Sequence, residues 1–212
     1  MERVAENIFV NRDERKIVLY KDVLAPEDEL ALEFSEILNE VGIRYVIVAG
    51  YVAILFGRSR RSDDIDFIIE PHTPDVFISL CGKLREKGFE LFQGEITDES
   101  SLIRIYNDYL ANGYAVKFFR NNITPAVEYK FAKTRVHFFS LENSWEVVLN
   151  DTYRLHVSPL ELQIAYKVFL GSEKDVGDAV FLYTLFQKIL DKEGMKHWAE
   201  VLGADLSVLE RS

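Results

Sequence analysis

Short apolar segments open the chain and predict two strands. Residues 7–10 and 16–20 are mostly apolar, and the polar residues 11–14 between them are typical of a turn. Pro26 then favours the first turn of a helix, and apolar residues recur behind it at helical spacing until Gly42. We therefore expect an N-terminal hairpin followed by one amphipathic helix.

The apolar pattern becomes nearly continuous at residues 44–49, which is typical of a strand buried on both faces. A short helix at 51–56 and a polar loop at 58–62 are predicted next, before a second apolar strand at 64–69. Thr73-Pro74 predicts the start of a further helix. That helix is expected over 74–87, and strands are expected at 89–92, 101–106, 115–119 and 135–139.

After about residue 150 the pattern changes to helical spacing alone. Helices are predicted over 158–170, from 172 to about 190, and over roughly 195–202. The expected fold class is α+β, with a mixed sheet flanked by helices and a C-terminal helical segment. We expect an α/β domain at 1–150 that includes the N-terminal hairpin, and a helical segment at 151–212 packed on it.

Composition restricts the classes of function. The 212 residues carry a net charge of −10, which argues against a general nucleic-acid binder. Cys81 is the single cysteine, so no intrachain disulfide can form and a cytoplasmic location is expected. The longest apolar run, 45–56, is interrupted by Gly50 and is too short to span a membrane.

The candidate chemistry lies in a cluster of acids, Asp63, Asp64 and Asp66. Side chains alternate along a strand, so Asp64 and Asp66 point to the same face, roughly 5–7 Å apart. At an effective dielectric near 20, two such charges repel by about 3 kcal/mol. This repulsion favours a divalent metal ion held by oxygen ligands.

These residues carry a resemblance to a known family. The stretch VAGYVAILFGRSRRSDDIDFII resembles the core of the nucleotidyltransferase superfamily, the polymerase-beta-like fold. The closest branch is the small prokaryotic one, with minimal nucleotidyltransferases, aminoglycoside-type enzymes and abortive-infection toxins. The later stretch PLELQIAYKVFLGSEKDVGDAVFL is similar to the helical segment of that branch. The resemblance covers roughly residues 30–190.

The resemblance implies a site made of several parts. Asp64 and Asp66 match the catalytic carboxylates that hold two Mg²⁺ ions, and Gly50 and Tyr51 match the turn that touches the phosphates of a nucleoside triphosphate such as ATP. Further candidates for nucleotide contact are Arg58 and Arg60 in the loop, and Lys167 and Lys174 in the helical segment. Asp175 and Asp178 are interpreted as acids on a helix surface.

Two residues depart from the family pattern. Tyr51 stands where Gly or Ser is usual, and its bulk is expected to narrow the phosphate site. Lys117 aligns with the place of a third carboxylate, which in the family serves as metal ligand or base. Either Asp108 or Glu128 replaces that base, or catalysis has been lost.

Three hypotheses follow. The first is an enzyme that moves a nucleoside monophosphate from a triphosphate to a hydroxyl of an unidentified acceptor and releases pyrophosphate. The second is a catalytically degenerate protein of the same fold that binds a nucleotide or a partner protein. The third is a component of a toxin–antitoxin pair. We favour the enzyme, with nucleic acid disfavoured as acceptor by the net negative charge.

Overall fold

The computed structural model describes residues 1–210. Within that range the strands are β1 Glu2–Ala5, β2 Ile8–Asn11, β3 Lys16–Leu19, β4 Tyr45–Val48, β5 Asp64–Ile69, β6 Glu90–Leu91, β7 Val116–Arg120, β8 Asn122–Phe131, β9 Trp145–Leu149 and β10 Tyr153–Val157. The α-helices are α1 Pro26–Glu40, α2 Gly50–Leu55, α3 Pro74–Glu86, α4 Glu99–Ile105, α5 Arg135–Glu142, α6 Leu160–Leu170, α7 Glu173–Phe186 and α8 Lys192–Leu202. A π-helical turn at Tyr106–Leu110 follows α4, and a 3₁₀ turn at Leu206–Glu210 follows α8.

All the strands described above join one mixed sheet in the order β1-β2-β3-β9-β10-β4-β5-β8-β7-β6. The pairs β3–β9, β10–β4 and β5–β8 are parallel, and the other neighbours run antiparallel. Helices cover this sheet, which confirms the predicted α+β class. The predicted strand at 64–69 is confirmed residue for residue as β5.

The centre of the sheet is buried from both sides. On one face, Phe34 of α1 packs its ring against the rings of Phe67 and Phe118, with centroids 5.2 and 5.5 Å away. On the other face, Val46 and Ile68 pack against Leu141 of α5. Because both faces of β4 and β5 are covered, their sequences read as nearly continuous apolar runs.

The strand predicted at 101–106 is wrong, because this segment forms α4 and the start of the π-helical turn. The Asp98 carboxylate accepts hydrogen bonds from the backbone N–H groups of Ser100 and Ser101. These bonds satisfy donors that a first helical turn leaves open, so the segment begins as a helix.

The strand predicted at 135–139 is also wrong, because it lies in α5. The Thr134 hydroxyl accepts a hydrogen bond from the His137 backbone N–H and so caps this helix. Packing of α5 on the sheet outweighs the strand preference of its β-branched and aromatic residues.

Several strands are missing from the sequence prediction: β1, β8, β9 and β10. The last of these continues the sheet beyond the predicted boundary at residue 150, since β10 pairs with β9 and, through Val157 and Ile47, with β4. The C-terminal helices α6, α7 and α8 then follow, as predicted. In the described part of the chain, no helix is both long and apolar enough to cross a membrane.

Candidate functional site

The candidate site is built on β5 and its two neighbours. Asp66 lies opposite Val48, the last residue of β4 before the glycine turn. On its other side Asp66 lies opposite Glu128 of β8, and Glu128 in turn lies opposite Lys117 of β7. Residues opposite each other on neighbouring strands share a face. Together with Asp64, two positions along the strand, the sheet therefore places three carboxylates and the Lys117 ammonium on one face, with Lys130 two residues beyond Glu128.

Glu128, one of the two alternatives named for the missing acid, adds a third carboxylate to this row. The sequence alignment places Lys117 at the position of that acid, but Glu128 comes from the next strand and is in register with Asp66. The apolar-acid-apolar run Val127-Glu128-Tyr129 is the signal that could have singled it out. The other alternative, Asp108, is exposed in the π-helical turn and has no place in this row.

Lys117 pairs with the carboxylates rather than replacing one. Its Nζ donates to both oxygens of Asp64 at 2.8 Å and lies 3.6 Å from Oε2 of Glu128. Partial burial alone would lower the pKa of Lys117, but the hydrogen bond to Asp64 and the charges of Asp64 and Glu128 raise it above its ordinary value. The side chain therefore stays a cation between two strands.

Asp66 has no such partner. Burial raises the pKa of Asp66 to about 6, and the nearby charges of Glu128 and Asp64 add to the increase. Lys130 and Lys167 act in the opposite direction without cancelling it. The Asp66 carboxyl therefore holds its proton to a higher pH than an exposed aspartate does.

These acids offer oxygen donors of the kind that Mg²⁺ prefers. Within residues 1–210, however, no group of three or more His, Cys, Asp or Glu side chains is arranged so that it could hold a metal ion. Both oxygens of Asp64 accept hydrogen bonds from the Lys117 ammonium instead. The carboxylates offer suitable donor atoms, although no metal-binding arrangement of them is present among residues 1–210.

The glycine turn adjoins this row. The backbone strain of this turn lies at Ala49, whose φ is 61°, and not at Gly50. Gly50 is needed for space: a Cβ there would lie 2.6 Å from a guanidinium nitrogen of Arg60. Because that volume is free, Arg60 donates a hydrogen bond of 3.1 Å to the Gly50 carbonyl.

Tyr51 does not narrow the site, contrary to expectation. Its side chain is fully buried, and its hydroxyl donates to Oδ1 of Asp28 at 2.9 Å. Asp28 also accepts from the Lys21 ammonium and from the Ala25 backbone N–H, each at 2.9 Å. The large side chain thus anchors α2 to the start of α1, on the side away from the turn's backbone.

A second charged group lies beneath the arginine loop. The carboxylate of Asp178, in α7, is fully buried and binds Arg58, Arg60 and Lys167, the last at 2.9 Å. Burial alone would raise the pKa of Asp178, but hydrogen bonds from Arg60 and Lys167 hold it below its ordinary value. The prediction that Asp178 lies on a helix surface is therefore wrong.

Three of the predicted nucleotide contacts, Arg58, Arg60 and Lys167, thus converge on the buried carboxylate of Asp178, to which the sequence analysis gave no role in the site. Lys167 is itself 2 % exposed and also pairs with Asp175. Lys174 does not join them through its side chain, which is exposed, although its carbonyl accepts a hydrogen bond from Arg58. The apolar periodicity of α6 and α7 predicts two helices. It does not reveal that one lysine and one aspartate within them are buried, because charged residues are rarely buried.

The arginine loop also borders a cleft of about 900 Å³. Its walls include Lys21, Asp28, Arg58, Arg60 and Arg61. Arg60 therefore has three neighbours: the Gly50 carbonyl, the buried Asp178 and this cleft.

Comparison with known proteins finds similarity at the level of fold. No protein-family model matches the chain, and no curated protein matches it. Among solved structures it is similar to an antigenic nucleotidyltransferase-like protein from Paracoccidioides brasiliensis, with 14 % identity and a TM-score of 0.48 over 90 % of this chain and 88 % of that one.

Two tRNA enzymes are similar as well. They are a tRNA nucleotidyltransferase complexed with a primer tRNA and an incoming ATP analogue (13 % identity, TM-score 0.35, 79 % of this chain) and a tRNA-processing enzyme (16 %, 0.38, 90 %). The chain spans 55 % and 57 % of their respective lengths. At such identities and TM-scores the likeness extends no further than the fold, and activity has to be argued from the residues of this chain.

Proposed function

We propose that this protein is a metal-dependent nucleotidyltransferase that moves a nucleoside monophosphate from a nucleoside triphosphate to a hydroxyl acceptor. The observation that carries the proposal is the row of acids at the glycine turn. Asp64, Asp66 and Glu128 share one face of the sheet, and Asp66 lies opposite the residue that leads into Gly50. Carboxylates crowded in this way repel one another unless a cation joins them.

Asp66 and Glu128, with Asp64 beside them, are the residues that would hold Mg²⁺. When bound, such an ion neutralises negative charge on the phosphate oxygens of the substrate. The carboxylates have a second task, which is to receive the proton of the acceptor hydroxyl. In the reaction the acceptor oxygen bonds to the α-phosphorus, and the bond from that phosphorus to the oxygen bridging to the β-phosphate breaks. Pyrophosphate leaves with that oxygen.

The basic side chains near the turn are suited to the triphosphate. Arg60 lies against the Gly50 carbonyl and borders the large cleft, so it links the glycine turn to a cavity of ligand size. Lys167 is close enough to Asp66 to lower the pKa of that acid. We propose Arg60 and Lys167 as the contacts that steady the phosphates, with Asp178 holding both of them in place.

Nucleotide binding tests the proposal directly. Thermal unfolding should be followed with each of the four common NTPs, with and without Mg²⁺. At 100 times the dissociation constant a ligand of the folded state adds about 2.7 kcal/mol to stability. We expect this gain only when an NTP and the metal ion are both present, and we expect Asp66→Asn to lose it.

Asp63→Asn is the matched control, because it makes the same chemical change at an exposed neighbour. This control should keep the gain in full. Failure of every NTP to stabilise the wild-type protein in Mg²⁺ would overturn the proposal.

A second candidate is a protein of this fold that binds a nucleotide or a partner without transferring anything. The ion pair between Lys117 and Asp64 favours it, because it occupies one of the carboxylates. An α-labelled NTP separates the two candidates. The enzyme releases pyrophosphate and passes label to an acceptor, whereas the binding protein retains intact NTP. A partner, as in a toxin–antitoxin pair, would be found by co-purification.

A further inference from the structure

The backbone of Ala49 is held in a conformation that an alanine disfavours. Its φ of 61° and ψ of −133° lie in a region that glycine adopts readily and other residues avoid. Ala49 directly follows Val48, the residue opposite Asp66, so the strain lies at the edge of the row of acids. An alanine keeps such a backbone only when its surroundings hold it there.

One side chain provides this restraint. The amide of Gln163, in α6, accepts a hydrogen bond from the Ala49 backbone N–H at 3.3 Å and donates one to the Ala49 carbonyl at 2.7 Å. A side-chain amide carries a donor and an acceptor side by side, so it satisfies both backbone groups of one residue. Gln163 is 2 % exposed, and solvent therefore competes little for either bond.

The topology of the sheet explains why a side chain is needed here. β10 is the parallel neighbour of β4, and the Ser158 backbone N–H donates to the Ile47 carbonyl at 2.9 Å. Backbone groups of alternate residues face the same neighbouring strand, so those of Ala49, two residues after Ile47, face the same side. On that side the chain leaves the sheet at Pro159 and enters α6. The Gln163 amide takes the place of the missing strand.

The same face of α6 also reaches the arginine loop. Lys167 follows Gln163 by four residues, so the two buried side chains lie on one face of the helix. Lys167 pairs with Asp178, whose carboxylate binds Arg60, and Arg60 donates to the Gly50 carbonyl. The turn is therefore held at two successive residues, by Gln163 and by Arg60, and Arg60 is one of the proposed phosphate contacts.

We infer that Gln163 is a positioning residue for the nucleotide. It fixes the strained backbone of Ala49 and so sets the place of the Gly50 carbonyl and of the Arg60 guanidinium bound to it. The inference rests on the proposed function and deepens it, since it names a residue on which the geometry of the phosphate contact depends. Both hydrogen bonds of the Gln163 amide go to Ala49, so its effect on the nucleotide is indirect.

Gln163→Met tests the inference, because methionine keeps the length of the side chain and removes both hydrogen-bonding groups. Without them Ala49 should relax towards negative φ. Calorimetry in Mg²⁺ with the NTP that the wild-type protein binds should then show affinity weaker by about tenfold, the size of effect that the strain of one residue supports. Gln187→Met makes the same change at an exposed glutamine and should leave the affinity unchanged.

A second substitution separates positioning from a general loss of stability. Glycine adopts the conformation of residue 49 without strain, so the double variant Ala49→Gly/Gln163→Met should recover most of the NTP affinity. Its melting temperature should stay below that of the wild-type protein, because the N–H and carbonyl of residue 49 still lack their partner. Gln163→Leu is the second variant, and far-UV circular dichroism checks that each protein is folded.

The outcomes separate this inference from the function beneath it. No binding of any NTP by the wild-type protein would remove the proposed function and this inference with it. NTP binding that is equally tight in the wild-type protein and in folded Gln163→Met and Gln163→Leu would overturn the role of Gln163 and leave the nucleotidyltransferase proposal standing. A loss of affinity that Ala49→Gly does not restore would overturn positioning, since Gln163 would then serve the stability of the fold alone.

Discussion

The metal-free protein should become more stable when Asp66 is changed to Asn, and the gain should depend on pH. The pKa of Asp66 is raised to about 6 from 3.8, because burial and the charges of Glu128 and Asp64 disfavour its ionised form. The folded state therefore holds its proton where the unfolded chain has already lost it. As pH rises from about 4 to 6, the wild-type protein loses stability. An amide in the same place escapes this loss.

The size of the effect follows from the shift. A shift of roughly two pKa units corresponds to about 3 kcal/mol, since each unit is worth about 1.4 kcal/mol. For a chain of 212 residues, 1 kcal/mol moves the melting temperature by about 2–4 °C. Asp66→Asn should therefore melt about 6–12 °C above the wild-type protein at pH 8 and level with it below pH 4.

Melting temperatures of both proteins should be measured in a chelating buffer from pH 4 to pH 8. Asp63→Asn removes one negative charge from the neighbouring exposed position, so it controls for net charge alone. Its melting temperature should follow that of the wild-type protein throughout. Added Mn²⁺ should stabilise the wild-type protein and this control, and leave Asp66→Asn unchanged.

Two results would refute the reasoning. One is a stabilisation of Asp66→Asn that is equally large at pH 4 and pH 8, because the effect would then come from packing and not from ionisation. The other is an Asp66→Asn variant that melts together with Asp63→Asn at pH 8. In that case Asp66 would not be the strained acid of this site.

Three further changes test the surroundings of the site. Asp178→Asn leaves buried cations without their acid and should lower stability by about 3–5 kcal/mol in chemical unfolding, whereas Asp175→Asn, at a partly exposed position, should cost clearly less. Equal losses of stability for Asp178→Asn and Asp175→Asn would contradict the structure. Tyr51→Phe removes a buried hydrogen bond to Asp28 and should cost about 1–3 kcal/mol in the same assay. No loss of stability for Tyr51→Phe would likewise contradict the structure. Gly50→Ala forces a Cβ against the guanidinium of Arg60, so NTP affinity should fall while Mn²⁺ affinity stays within about twofold. An unchanged NTP affinity would argue against contact between the nucleotide and the glycine turn.

Some elements could be predicted because their residues carry the whole signal within a short stretch of sequence. The run 44–49, the glycine turn and the acids of β5 all lie where the pattern predicts them. The segments 101–106 and 135–139 failed because strand-forming side chains were outweighed by helix caps just ahead of them. A cap is a specific hydrogen bond, and a propensity average over the following residues does not register it.

β8 was missed for a different reason. It starts with polar residues and contains Pro125, which argues against a strand within a sheet. The structure resolves the conflict, because pairing with β5 begins only at Ala126, opposite Asp64, immediately after the proline. Without β8, the sequence could not show that Glu128 faces Asp66. The third acid was therefore sought along one strand, and Lys117 was found instead.

The two charged groups of this protein differ in how completely they are neutralised, and that difference separates structure from function. Asp178 is fully buried among Arg58, Arg60 and Lys167, and its lowered pKa shows that its neighbours favour the ionised form. Such a group fixes α7 to the loop below the glycine turn and holds the side chains of Arg60 and Lys167 in place. Asp66 is in the opposite condition, since burial and the carboxylates of Glu128 and Asp64 oppose its ionisation. A fold that keeps such an acid beside a strained turn has a place where a proton or an added cation relieves the repulsion.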